Sequence, residues 1–201
     1  MLQKSDSRRH LPICILLLMV WTWAAIAPLS RQDWLLENLL VFAIAAVLLG
    51  TYPRFRFSTP SYWLFAVFLT LHLYGSHYTY SETPFGYWLQ EVTGASRNHF
   101  DRIVHFAFGL LLVYPLRELL ERLARPSGGW LELCALTWVM ALSSLYEQIE
   151  MLTAMIVAPE LGAAYLGTQG DPWDAQKDAG LAILGALIAL AIIRLAKARR
   201  A

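Results

Sequence analysis

Three short segments carry acids and imidazoles where the surrounding sequence is apolar. In "NHFDRIVHFAFG", Asp101 and His105 stand four residues apart, so a helix sets both on one face, a turn from each other. In "SSLYEQIEMLT", Glu147 and Glu150 stand three apart beside Tyr146. "GTQGDPWDAQKDAG" supplies Gln169, Asp171, Asp174 and Asp178. Imidazole nitrogens and carboxylate oxygens are the ligand set of divalent ions such as zinc and manganese. His105, Asp101, Glu147, Glu150, Asp174 and Asp178 are therefore the candidate metal ligands, and a divalent metal is the only cofactor implied. The same groups suit acid–base work, because a carboxylate beside an imidazole tunes it as a base toward a polarised water. That gives His105, Asp101 and Glu147 as the candidate catalytic set. Ser143 and Ser144 lack the Gly-x-Ser-x-Gly setting of a hydrolase nucleophile.

The elements that must position these groups are read from composition. Of the 201 residues, 57% are hydrophobic and 15% charged, an apolar share above that of soluble domains. The apolar residues come in runs, and a helix needs roughly 20 residues to cross the hydrocarbon core. The runs predict an all-α polytopic membrane protein of about six transmembrane helices in one bundle. The spans are set at about 11–29, 35–52, 60–76, 101–122, 130–157 and 177–197, within a single membrane domain over 1–201. The first run has a basic start and small residues near Ala24–Ala27, as a signal peptide would. Its length and Pro28 favour an uncleaved span.

Twelve of the sixteen Lys and Arg residues fall in four groups: Lys4/Arg8/Arg9, Arg54/Arg56, Arg117/Arg122/Arg125 and Arg194/Lys197/Arg199/Arg200. These alternate along the chain with segments poor in basic residues. The positive-inside rule then puts both termini and the two basic loops in the cytoplasm. The lipid bilayer is the expected partner, and no basic patch suggests nucleic acid. Cys14 and Cys134 lie in separate spans and read as buried thiols rather than a bridge.

At ~1.5 Å per residue, Glu147 and Glu150 stand about 25–30 Å above the inner end of their helix near Trp130, in the outer part of the membrane. His72 and His77, in "HLYGSHYTYSETPFGYW", reach the same level. A charge in the hydrocarbon costs at least ~2.5–3.5 kcal/mol on insertion scales, so such groups face a cavity. Against the acids gathered there stand only Arg97, Arg102 and Lys177. Within this outward-facing His/Asp/Glu cavity, His72, His77, Tyr78, Gln169 and Asp171 are the candidate contacts to a bound lipid or lipid-linked molecule. Plainer roles stand beside these. Tyr74, Tyr78, Tyr80 and Tyr87 suit an interfacial aromatic belt. Asp174 and Asp178 suit the positive end of a helix dipole, and His99 suits solvent. Two classes of function fit: a metal-dependent hydrolase of a lipid ester or phosphoester, and a non-catalytic binder or transporter of a cation, proton or lipid head group.

"FDRIVHFAFGLLL", "LYEQIE" and "WDAQKDAGLAILGALIAL" together resemble the pattern of VanZ-like membrane proteins. The longer series "LHLYGSHYTYSETPFG", "RNHFDRIVHFAFG", "YEQIE" and "GTQGDPWDAQKD" more closely resembles the YjdF-like family of bacterial inner-membrane proteins, whose biochemical role is undetermined. The resemblance covers roughly residues 60–195 and matches Asp101, His105, Glu147, Asp174 and Asp178 to the shared pattern. It departs from the VanZ-like form where Asp178 stands for Asn and where Glu150 adds an acid. That extra acidity points toward cation binding. Reporter fusions at Ser81 and Gly128 test the expected topology: Ser81 is expected outside and Gly128 in the cytoplasm, and finding both on one side removes the six-span arrangement.

Overall fold

A computed structural model describes residues 3–199; the side chains of Lys4, Arg8 and Arg9, and Arg200 altogether, lie outside the described residues. Eight helices follow in order: α1 (Gln3–Ala25), α2 (Arg31–Thr51), α3 (Thr59–His77), α4 (Pro84–Thr93), α5 (Phe100–Leu123), α6 (Trp130–Ile156), α7 (Pro159–Leu166) and α8 (Asp174–Ala198). No strand occurs among the described residues. The six long helices fall on the six apolar runs. α2, α5 and α8 are long and apolar enough to cross a membrane by length and composition. α1 contributes a shorter apolar stretch, His10–Ala25. In α6 the apolar run is broken by Glu132, Glu147 and Glu150, and in α3 by His72, Ser76 and His77.

Local chemistry sets the helix ends. Ser30 caps α2 by accepting from the Asp33 backbone N–H at 3.2 Å, and Ser58 caps α3. The short α4 and α7 begin at Pro84 and Pro159, whose fixed φ suits a first turn. Both stop at left-handed glycines, Gly94 and Gly167.

α5 is the central helix, packed against α3, α6 and most extensively α8. Gly109 of α5 abuts the Ala182 backbone: a Cβ there would stand 1.8 Å from the Ala182 carbonyl oxygen. From the other side, a Cβ on Gly185 would stand 2.2 Å from the Phe106 carbonyl oxygen. Ala182, Ala186 and Ala189 continue this side of α8 into a core shared with Val113, Ala135 and Val139. Small residues let two backbones meet where lipid offers no hydrophobic drive for association. The pairing of Gly109 with Ala182, and of Arg102 with Asp174, means that α5 and α8 run in the same direction. α6 runs against both, since His105 meets Glu147 near one end and Arg117 meets Glu132 near the other. A second core joins Phe68 and Leu69 of α3 to Phe100, Val104 and Leu112 of α5.

The basic loops gather at the end of the bundle away from Asp101. There Glu118 accepts from the Ser58 backbone N–H, both serine hydroxyls of Ser58 and Ser61, and Arg122. Arg117 pairs with Glu121 and Glu132, and Arg194 approaches Glu132. Cys14 and Cys134 are both free; Cys14 is exposed on the bundle surface rather than buried, and Cys134 half-buried.

The glycine contacts set a comparison of three substitutions. Gly109→Ala and Gly185→Ala each push backbone apart and are expected to cost about 1–3 kcal/mol, as overpacking does. Gly180→Ala, with nothing within 4 Å of its added Cβ, is expected to be neutral or to stabilise by up to ~1 kcal/mol through helix propensity. Melting temperatures in one detergent measure the difference, and equal values for all three would show that α5 and α8 do not meet through backbone.

Candidate functional site

One turn toward the helix starts from the Gly109–Ala182 contact, α5 presents His105 and α8 presents Asp178. The backbone contact therefore fixes how near these two side chains come. Asp101 lies a turn beyond His105, its Oδ1 3.5 Å from His105 Nε2. α6 adds Glu147, whose Oε1 is 3.3 Å from the same nitrogen. Asp101, His105 and Asp178 each offer a ligand atom, all within 4.8 Å of one another. His105 is 7% exposed and Asp178 1%. Two oxygens here, Glu147 Oε1 and Asp178 Oδ1, are buried with no hydrogen-bond partner. An orphaned buried acceptor costs about 1–3 kcal/mol, and more if charged.

The remaining sequence candidates divide sharply. Asp174 forms a two-bond pair with Arg97, at 2.5 and 3.0 Å, and also accepts from Arg102 at 3.1 Å. Asp171 accepts from Arg102 at 2.6 Å and from Lys177 at 2.5 Å. The three cations of this end are thus engaged by two aspartates in a layer covering the helix starts. Gln169 belongs to the same layer: its side chain accepts from the Asn98 N–H at 3.0 Å and donates to the Asn98 carbonyl at 2.9 Å. Asn98 in turn holds Thr83 and the Phe100 N–H, and its side chain occupies the space a Cβ on Gly86 would need.

His72 is buried at 1% exposure. Its Nε2–H donates to the Glu37 carbonyl at 3.0 Å, and Nδ1 accepts from the Tyr80 hydroxyl at 2.5 Å. Both ring nitrogens are satisfied in one neutral tautomer. His77 stacks on Trp23 with ring centroids 4.5 Å apart and bonds the Ala24 carbonyl through Nδ1. Tyr78 packs beside it. The structure thus brings Asp101, His105, Glu147 and Asp178 together, sets Glu150 and His72 on the wall of the adjoining cavity, and places His77 and Tyr78 against α1.

Sequence reasoning missed Asp33, Glu37 and Asn98, which are 1%, 3% and 1% exposed. Glu37 accepts from the Tyr146 hydroxyl at 3.1 Å, and Asp33 Oδ1 has no partner. The signal was present in "RQDWLLENLL", two acids four apart at the entry of an apolar run. Tyr80 belongs to this network through His72 rather than to an exposed belt.

A cavity of about 270 Å³ lies beside the cluster between α2, α3, α5 and α6. Its walls are leucine, isoleucine, valine and phenylalanine apart from one end, where His72, Tyr80, Asp101, His105, Ser143, Tyr146 and Glu150 face it.

Asp171, in the loop before α8, is held down to about 2 by hydrogen bonds from Lys177, the Trp173 N–H and Arg102. A carboxyl depressed on folding stabilises fully above its ordinary value of 3.8 and loses that contribution as pH falls through about 2. The melting temperature of the native protein is therefore expected to exceed that of Asp171→Asn near neutral pH. That gap should close on acidification toward pH 2, and one that is constant with pH would mean Asp171 does not hold the layer.

Comparisons with known proteins bear on the YjdF-like resemblance. A family model described as a predicted membrane protein, DUF2238, matches residues 9–199. The inner membrane protein YjdF of Escherichia coli (strain K12) is 34% identical over 176 residues, covering 85% of this chain and 82% of that protein. No solved structure matches the chain. With nearly its whole length inside the family model and a third of its aligned residues shared with an inner-membrane relative, this chain belongs to the DUF2238 family of predicted membrane proteins.

Proposed function

We propose that the protein crosses the bacterial inner membrane six times, through α1, α2, α3, α5, α6 and α8, with both termini cytoplasmic. In this reading the Asp101–His105–Asp178 cluster near the outer face holds a divalent cation, and the protein acts as a metal-dependent hydrolase of a lipid or lipid-linked substrate. Gathering of the basic loops at the opposite end of the bundle supports the orientation, as does the inner-membrane relative.

The observation that carries the site is the meeting of three ligand atoms from two helices within 4.8 Å, beside a buried Asp178 whose Oδ1 has no hydrogen-bond partner. Ligands ~2.0–2.2 Å from one ion stand closer together than this, so binding would draw the group in by on the order of 1 Å. Carboxylates crowded in a low-dielectric site must protonate, pair or bind a cation. Pairing is closed to them, because Arg97, Arg102 and Lys177 are engaged by Asp171 and Asp174. The imidazole favours zinc or manganese over magnesium or calcium. A bound ion would supply Lewis acidity and an acidified water. The residues of the chain do the rest: Glu147, whose Oε1 lies 3.3 Å from His105 Nε2, stands where it would take a proton from a water held at the cluster, and the apolar cavity excludes bulk water from the polar end.

A second reading rests on Ser143. Its Oγ is buried without a partner on the cavity wall, yet nothing in its surroundings activates it as a nucleophile. That favours binding over covalent catalysis, and so a non-catalytic holder of a cation or lipid head group.

Elemental analysis of the native protein and of His105→Ala and Asp178→Ala tests the ion. Stoichiometric zinc or manganese is expected in the native protein alone, with a lower melting temperature after chelation. Sub-stoichiometric metal in all three, with stability unchanged by chelator, would discard the ion and leave a network of protonated acids.

A further inference from the structure

The bundle is open on one side of the cavity. α2 packs on α3 and α7, and α6 on α5, α7 and α8, while α2 and α6 make no extensive contact with each other. Leu40 and Ile44 of α2 face Leu145 and Ile149 of α6 across the cavity, and Leu145 and Ile149 are 51% and 47% exposed. At the polar end the gap is bridged by the Tyr146–Glu37 hydrogen bond and by α7, which lies against both helices. Along α5 the lining runs from Asp101 to Leu116, roughly 22 Å at ~1.5 Å per residue. A long apolar slot with one polar end and a sideways opening has the shape of a hydrocarbon tail whose head lies at the outer level.

Charge selects the head. Asp101 and Glu150 face the slot. Glu37 is held by the lining Tyr146, and Glu147 lies 3.3 Å from the lining His105. The cations of this end are engaged elsewhere, Arg97, Arg102 and Lys177 by aspartates and Arg31 by Trp34 and the Ala25 carbonyl. A bare anionic head group would meet like charge, whereas an ammonium meets its complement.

We infer that the slot takes one tail of an amine-bearing bilayer lipid, entering between α2 and α6, with its ammonium beside the carboxylates of Glu150 and Glu37. This rests on the six-span reading above and not on the ion. The test uses the full chain in phosphatidylcholine vesicles carrying a trace of phosphatidylethanolamine or phosphatidylglycerol, both with the same diazirine-bearing tail. After photolysis, the ethanolamine probe is expected to label peptides containing Phe108, Leu112 and Leu145 about fivefold more than the glycerol probe. Glu150→Gln should narrow that ratio, and Leu112→Trp, which fills the slot, should suppress labelling by both. Equal labelling by the two probes in the native protein, or a preference for the glycerol probe, overturns the amine assignment. Labelling confined to surface residues such as Leu18 and Leu195, both 63% exposed, overturns the slot. Metal content measured on the same preparation separates the two proposals, because labelling without an ion sinks only the ion and an ion without labelling sinks only the lipid.

Discussion

The site depends on the absence of two side chains. Because Gly109 and Gly185 lack Cβ atoms, the backbones of α5 and α8 touch, and parallel helices in contact keep their next turns close. His105 and Asp178 are those next turns. Any bulk at the contact would move the His105 imidazole away from the buried Asp178 carboxylate. Glycine here is chosen against helix propensity, a cost of up to ~1 kcal/mol per residue, and close packing offsets it.

Charge arrangement follows from the same geometry. The layer over the helix starts uses Arg97, Arg102 and Lys177 on Asp171 and Asp174. The deeper acids, Asp101, Glu147, Glu150 and Asp178, are left to imidazole, hydroxyl groups and one another. Two tiers result: a neutralised cover over the helix starts, and beneath it an acid-rich pocket built from α5, α6 and α8. Asp174 and Asp178 are one helical turn apart yet belong to different tiers, because Arg97 reaches the first and the second lies buried against α5.

Much of this was legible in the sequence. The all-helical class, the six long segments and the alternation of basic loops followed from runs and charge, because membrane constraints act on composition directly. The meeting of Asp101, His105, Glu147 and Asp178 was legible as a level, since rise per residue places each group along its axis. What a level does not give is azimuth. His77 and Tyr78 share the depth of the site but face α1, and Asp174 shares its helix face but is held by Arg97. The acids of the second helix escaped notice because Asp33 and Glu37 sit at the edge of an apolar run, where acids ordinarily mark a solvated start. Asn98 escaped because a lone loop amide gives no hint that it joins Thr83, Phe100 and Gln169.

The shared direction of α5 and α8 also dictates an order of assembly. Helices neighbouring in sequence, such as α5 and α6, run antiparallel and can pair as they emerge, but α8 reaches its partner only after α6 and α7 have been made. Until then Gly109 faces no neighbour, and His105 and Asp101 lack the wall that encloses them. The final helix is therefore the closing piece that completes the wall behind His105 and Asp101, while the gap between α2 and α6 stays open.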